Sequence, residues 1–140
     1  MNDAVHTNNP AHNRKIDAIY NMLNENWVNG GLSENLPWPY IVSAAVSYRH
    51  MWLWDTAFNT AGWAPMGEER NKQTYRNHWH WIDHNPNFPE GSPGYGMIPG
   101  VISTDRSPDF YNFKFTQYPL TAWGAAMVYR QDGDRRFIEE

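Results

Sequence analysis

The sequence contains no cysteine, which excludes disulfide bonds and thiolate metal sites. It also has no apolar run near the roughly 20 residues of a membrane span, and its N-terminal stretch has no signal-peptide core. Basic residues are few: 11 stand against 15 acidic ones, the net charge is −4, and no basic block occurs. We therefore expect a cytoplasmic protein that binds neither membranes nor nucleic acid.

Aromatic residues, in contrast, are abundant, at 16% of the chain with eight tryptophans. They are densest in the stretch "YRHMWLWDTAF" (48–58). A folding core would use aliphatic residues there, and a solvated surface would use Lys and Glu. Tryptophan and tyrosine also stack against the apolar faces of sugars or bases, so the stretch indicates a ligand-binding wall.

The hydrophobic pattern predicts a helical chain. Its length is that of one domain or part of one. Helical spacing of apolar residues predicts helices over 14–27, 54–64, 67–83, 118–131 and from 134 onwards. Pro119 suits the first turn of the fourth helix.

Two other segments are not expected to be helical. Each proline of "LPWPY" (36–40) forces an extended conformation on its predecessor, and residues 41–48 suit a strand or an irregular extended segment. The proline- and glycine-rich loop 85–110 is long enough to suggest that it serves a site.

Polar amphipathic helices alternate with apolar ones, which suits the outer and inner rings of an α/α barrel. The helix 118–131 is apolar nearly all round and should be buried on both sides. We therefore predict an all-α fold of about four helices plus the start of a fifth. Because the inner helices then lack apolar partners, residues 1–140 should be the N-terminal portion of a larger, incomplete barrel. The missing part of that barrel would be its partner.

Three motifs carry a resemblance to a known family. Tyr48-x-x-x-Trp52-x-Trp54-Asp55, followed by Ala57 and Phe58, resembles the "Y-x-x-x-W-x-W-D-[ST]-A-F" stretch of glycoside hydrolase family 63. The segments "GYGMIPGVI" (94–102) and "FTQYPLTAWGAAMVY" (115–129) resemble its Gly/Pro loop and its "[ST]-Q-P-P-x-x-A-W" helix start. Tyr118 departs from the family, which usually has proline at that position.

The resemblance implies an (α/α)6 barrel and inverting hydrolysis of an α-glycosidic bond. The group includes mannosylglycerate and glucosylglycerate hydrolases and is related to trehalases and processing α-glucosidases. It also implies a catalytic Asp acid and a Glu base in segments beyond residue 140. The chain would then carry the sugar-binding wall of a small-carbohydrate enzyme, with neither catalytic group and no cofactor.

Three side chains near the start of the second helix are candidate substrate-binding residues. Asp55 can accept hydrogen bonds from vicinal sugar hydroxyls; alternatively, it is a helix N-cap. Trp52 and Trp54 are two residues apart, so on an extended lead-in they would face one side and form a stacking floor. Their alternative role is packing between helices.

Tyr48 and Gln117 complete the predicted site. The Tyr48 hydroxyl can bind an acid or hydroxyl group of the substrate. If inner helices start at the same barrel mouth, Gln117 lies near Asp55, where its amide can donate and accept; alternatively, it caps backbone. Arg49 could pair with a carboxylated aglycone such as glycerate, or with Asp55 itself.

The segment "HWHWIDH" (78–84) places His80 and His84 on one helix face, as in some zinc sites. No third ligand occurs at a matching spacing, so we interpret this stretch as an aromatic helix face and predict no metal site.

Two other function classes remain open from the sequence. A non-catalytic helical module that binds carbohydrate or protein would keep the aromatic wall, and a lyase or sugar isomerase could use another α/α toroid. Asp105 and Asp109 on the long loop are further carboxylates near the proposed mouth. Neither they nor Asp55 suits the acid role, so we expect residues 1–140 alone to hydrolyse no glycoside.

Overall fold

A computed structural model of the chain describes residues 5–30, 36–67, 69–85, 88–103 and 117–140. It contains five helices, α1 to α5, and a short 3-10 turn at Ala64–Met66 that follows α2 directly. The helices are Pro10–Glu25, Leu53–Trp63, Glu69–His84, Thr121–Asp132 and Arg135–Glu139. Four two-residue strands, β1 to β4, are Trp27–Val28, Tyr40–Ile41, Met51–Trp52 and Val101–Ile102.

The prediction of an all-α fold is wrong, because the strands form two small antiparallel sheets. In the first sheet Trp27 pairs with Ile41, and in the second Met51 pairs with Ile102. Prolines keep 36–40 extended, and an extended buried backbone must find partners for its N–H and C=O groups. Hydrophobic periodicity does not reveal pairs this short, since their partners lie far away in the sequence.

The five predicted helices are present, with shifted ends. Helix α1 starts early because the Asn9 side chain caps it, accepting a hydrogen bond from the Ala11 N–H at 2.9 Å. Helix α4 starts late, at Thr121, so the prediction that Pro119 lies in its first turn is wrong. Helix α4 ends at Gly133, whose φ of 67° suits glycine.

The predicted division into polar outer and apolar inner helices also fails. Helix α3, the predicted outer helix, carries more buried residues than α4, including Tyr75, His78 and Trp81. Helix α4 buries only Gly124, Ala125 and Val128, and 46% of Trp123 is exposed. The pattern failed because α3 buries polar side chains that bond to neighbouring segments, as Asn77 does to the Trp38 carbonyl at 3.0 Å.

Helices α2 and α4 pack closely, and Gly124 permits it. A Cβ on Gly124 would lie 2.1 Å from the Tyr75 hydroxyl oxygen and 2.9 Å from Ala57 Cα. The Tyr75 hydroxyl is itself held at 2.7 Å by the Thr60 hydroxyl. Helix α4 therefore crosses α2 at a point where any side chain would push them apart.

Charged side chains fasten α3 to the end of α4. The Lys72 ammonium lies 2.6 Å from Asp132 and 2.8 Å from Asp134, and Asp134 also caps α5. The hydrogen bond from Lys72 lowers the pKa of both aspartates. No helix among the described residues is both long and apolar enough to span a membrane.

His78 lies at the centre of the packed helices. It is fully buried, its ring contacts Tyr75 edge-on at 6.1 Å, and neither ring nitrogen has a hydrogen-bond partner in the described part of the chain. Desolvation by this burial lowers its pKa from 6.5 to about 3. The neutral imidazole therefore behaves as a core residue.

We expect His78 to make stability depend on pH. Its pKa is depressed in the folded state, so the unfolded chain binds the extra proton, and stability falls as pH drops below 6.5 towards 3. Between pH 7 and 5 the loss should be about 2 kcal/mol. In urea unfolding, the His78→Leu variant should lose most of this dependence of the free energy of unfolding on pH. The His84→Leu variant, changed at an exposed site, should keep it. If the free energy of unfolding fell equally steeply with pH in His78→Leu and in the wild type, His78 would not be the source of the dependence.

The α2–α4 crossing gives a second prediction. Gly124→Ala should destabilise the fold by about 1–3 kcal/mol, because an inserted methyl in a packed contact forces backbone shifts. Adding Tyr75→Phe should recover part of the loss, since it removes the nearest clashing atom but leaves the Ala57 backbone in place. Gly62→Ala is the control, because its Cβ would meet only Leu23 Cδ1 at 3.7 Å. Thermal unfolding that shows equal effects for both alanines would contradict close packing at Gly124.

Candidate functional site

A cavity of about 530 Å³ opens at the start of α2. Its walls come from β3 and the first turn of α2, from the turn at 43–48 before β3, and from Gln117. The lining residues are Ser43, Ala44, Tyr48, Trp52, Trp54, Asp55 and Gln117. The structure thus brings all five residues predicted from the sequence to one cavity.

The strand-to-helix junction positions the two tryptophans. Trp52 ends β3 and Trp54 lies in the first turn of α2, so the expected extended lead-in across both residues is absent. The backbone N–H of Leu53 bonds to the Gly100 carbonyl at 3.0 Å, which fixes the point where the strand becomes a helix. Both indoles line the cavity because the chain turns between them.

Tyr48 forms the next part of the aromatic wall. Its ring meets Trp52 edge-on, with centroids 6.2 Å apart and an interplanar angle of 71°. Its backbone N–H bonds to the Ala44 carbonyl at 2.9 Å, which closes the short turn before β3. More than half of Tyr48 is exposed, so its ring is accessible to a ligand.

Asp55 supplies a carboxylate to the cavity. It lies inside the first turn of α2, and the N-cap position belongs to Trp52, so the alternative role of Asp55 as an N-cap is not observed. No side chain or ion pairs with its carboxylate among the described residues, although a negative charge suits this end of a helix. Its oxygens are therefore available to hydroxyl groups of a ligand.

Gln117 joins the site to the segment before α4. Its side-chain oxygen accepts a hydrogen bond from the Trp54 backbone N–H at 3.0 Å. This N–H is one of those that the first helical turn leaves without an internal partner. Gln117 therefore caps backbone, as the alternative interpretation held, and at the same time lines the cavity.

Sequence reasoning missed two hydrogen-bonding groups of the cavity. The Ser43 hydroxyl and the Trp52 indole nitrogen are both buried and have no partner among the described residues, and both residues line the cavity. Unpartnered buried polar groups are uncommon, and each costs about 1–3 kcal/mol of lost hydration. Nothing in "IVSAAVSY" distinguishes Ser43 from Ser47, so no sequence signal could have selected it.

A second cavity, of about 340 Å³, adjoins the first. It is lined by Trp54, Gln117, Tyr118 and Pro119, so the two cavities share Trp54 and Gln117. Tyr118 stacks on Trp54 with centroids 6.0 Å apart and an angle of 26°. A third cavity, of about 520 Å³, continues past Pro119 to residues 93–98 of the long loop.

The other candidate groups lie elsewhere. Arg49 lines a separate cavity with Trp27 and Tyr40, whereas Asp55 lines the cavity at the start of α2. His80 and His84 stack on each other with centroids 4.0 Å apart. No group of three metal-binding side chains occurs in the described part of the chain. Asp105 and Asp109 lie outside the described residues.

The arrangement is suited to binding a polyhydroxylated ring. Aromatic side chains offer flat apolar faces, and the Asp55 carboxylate accepts hydrogen bonds from hydroxyl groups. Of the described residues that line the cavity, Asp55 is the one carboxylate. A pair of carboxylates, which glycoside hydrolysis by acid and base requires, is not assembled by these lining residues.

Comparison with known proteins gives one relative. Mannosylglycerate hydrolase of Thermus thermophilus is 26% identical over 119 aligned positions, and the match covers 74% of this chain and 26% of the relative. The chain thus spans about a quarter of the length of the relative. No family model matches the chain, and no solved structure matches it. The chain is therefore similar to a glycoside hydrolase, and its resemblance to family 63 in particular stays a prediction.

Proposed function

We propose that the chain is the sugar-binding N-terminal portion of the catalytic domain of an inverting α-glycoside hydrolase. The observation that carries the proposal is the convergence of Tyr48, Trp52, Trp54, Asp55 and Gln117 on one cavity. The similarity to mannosylglycerate hydrolase supports the same class of enzyme. Hexosides of small acids, such as mannosylglycerate, are the first substrates to test.

The proposed role of each group follows from its chemistry. Trp52 and Tyr48, perpendicular to each other, would contact the face and the edge of a pyranose ring. Asp55 would accept hydrogen bonds from two neighbouring ring hydroxyls, which fixes the rotation of the ring on this wall.

The chemical step would come from elsewhere in a longer protein. Inverting hydrolysis needs one carboxyl to protonate the leaving oxygen and a second, roughly 6.5–9.5 Å away, to activate water. Asp55 is occupied with binding in this proposal, and the described residues of the cavity wall include no second carboxylate. The binding wall would hold the ring so that an acid and a base from other segments reach the glycosidic bond.

The first experiment compares residues 1–140 with a gene product extended beyond residue 140. We expect the short chain to hydrolyse no α-glucoside, α-mannoside, trehalose or mannosylglycerate, because the positioned acid–base pair is missing. The extended product should hydrolyse at least one of them with inversion, observed by NMR of the released anomer. Turnover by the short chain that Asp55→Ala abolishes would overturn the proposal.

The same experiment distinguishes the proposed enzyme portion from the alternative, a non-catalytic module. Such a module would bind sugar with the same affinity in both lengths, and neither would hydrolyse a glycoside. A reading frame that stops at residue 140 in the gene would favour it.

The binding wall gives a sharper prediction for Asp55. Asp55→Ala should weaken sugar binding, or lower kcat/KM in the extended enzyme, by about tenfold or more, since a charge-assisted hydrogen bond contributes about 1.5–3 kcal/mol. Binding can be followed by tryptophan fluorescence, because Trp52 and Trp54 line the cavity. Asp17→Ala, a carboxylate on α1 paired with His6, is the matched control. Unchanged affinity with a lower melting temperature in Asp55→Ala would show that Asp55 only stabilises the helix.

A further inference from the structure

The cavity that contains Arg49 has no role in the proposed sugar site. It lies between the end of α1, the sheet of β1 and β2, and the turn before β3, and its volume is about 370 Å³. This volume falls within the range of small-molecule sites. The chemistry of its walls therefore indicates what it could hold.

One short segment of the chain separates this cavity from the sugar cavity. Ser43, Ala44 and Tyr48 line the sugar cavity, and Val42, Ala45 and Arg49 line this one. The side chain of Asn26 holds the segment in place, because its oxygen accepts a hydrogen bond from the Ala45 N–H at 3.1 Å and its nitrogen donates to the Ser43 carbonyl at 3.3 Å. The two cavities are thus distinct, and each can be tested by itself.

An aromatic and aliphatic wall is already in place in this cavity. The Trp27 ring is fixed by the Trp63 ring, with centroids 5.8 Å apart, and by the Arg70 guanidinium, 4.7 Å from its centroid. Tyr40 pairs with Val28 in the sheet and is almost fully buried. Burial raises the pKa of Tyr40 to about 12, so its phenol is neutral at neutral pH.

Two opposite charges stand beside this wall. Glu25, the last residue of α1, and Arg49 both line the cavity and are exposed. Neither takes part in an ion pair among the described residues. A guanidinium binds a carboxylate through two parallel hydrogen bonds, and a carboxylate binds an ammonium group. A ligand that carries both groups on an apolar body would match both charges and the wall, whereas a simple anion would be repelled by Glu25.

We propose that this cavity binds a small zwitterion, namely a free amino acid with an apolar side chain. Arg49 binds its carboxylate, Glu25 binds its ammonium group, and Trp27, Val28 and Val42 contact its side chain. The site is separate from the sugar cavity, and the inference does not rest on the proposed function.

NMR titration of the ¹⁵N-labelled chain with L-leucine tests the inference. We expect saturable shifts at the backbone amides of Val28, Ala45 and Arg49, which line the cavity. Three related compounds each lack one feature: leucinamide lacks the carboxylate, N-acetyl-leucine lacks the ammonium group, and glycine lacks the apolar side chain. Each should bind about threefold to tenfold more weakly than leucine, the effect of one lost contact at a partly exposed site.

Charge-removing variants assign the binding to the two side chains. Arg49→Gln and Glu25→Gln keep the approximate size of each side chain, and each should weaken leucine binding about threefold to tenfold. Arg14→Gln and Glu90→Gln are the matched controls, because these residues are exposed and do not line this cavity. Asp55→Ala should leave leucine binding unchanged, since Asp55 lines the other cavity.

Each outcome decides the inference. The absence of saturable shifts with leucine, equal binding of leucinamide or N-acetyl-leucine, or an affinity that survives either Arg49→Gln or Glu25→Gln overturns it. Weaker binding in both of these variants, with full binding in both controls and in Asp55→Ala, would establish it. Sugar binding measured on the same chain keeps the two proposals apart: its loss bears only on the proposed function, and loss of leucine binding bears only on this inference.

Discussion

The site depends on one backbone hydrogen bond, from the Leu53 N–H to the Gly100 carbonyl at 3.0 Å. It continues the antiparallel pairing of β3 with β4 by one residue and marks where the strand gives way to α2. This change from strand to helix positions three site residues that lie within four positions of the chain, Trp52, Trp54 and Asp55. A helix that began one residue earlier or later would rotate their side chains by about 100° around its axis.

Helix α2 also packs against α4 and α3. Gly124 brings α4 against Ala57, and the Tyr75–Thr60 hydrogen bond closes the same contact from α3. The Lys72 ammonium then fixes the end of α4 through Asp132 and Asp134. Because Gln117 lies just before α4 and bonds to the Trp54 N–H, the packing of α4 also places the fourth wall of the cavity. The cavity is therefore assembled from segments that are distant in the sequence and are held together by helix packing and by the hydrogen bond of Gln117.

Part of this could be predicted from the sequence. The motif at 48–58 led to four cavity residues because its aromatic and acidic side chains had no evident role in folding. The sheets could not be predicted, since two-residue strands are defined by partners rather than by pattern. The prediction of burial also failed for α3, where Asn77 and Lys72 are buried because they bond to specific partners. Ser43 lines the cavity from a bend before the turn at 44–48, and nothing in the sequence distinguishes it from Ser47. Tyr118 is the opposite case, since its departure from a motif was visible in the sequence and its consequence required the structure.

Two exposed aromatic pairs join α2 to the segment 118–123. Trp54 stacks on Tyr118, and one helical turn further along α2 Phe58 meets Trp123 edge-on at 5.8 Å. All four side chains are exposed, so they link α2 to the segment 118–123 from outside while helix packing links the two from within. Trp54 thus lines the proposed binding cavity and also helps to hold α2 beside the segment that leads into α4.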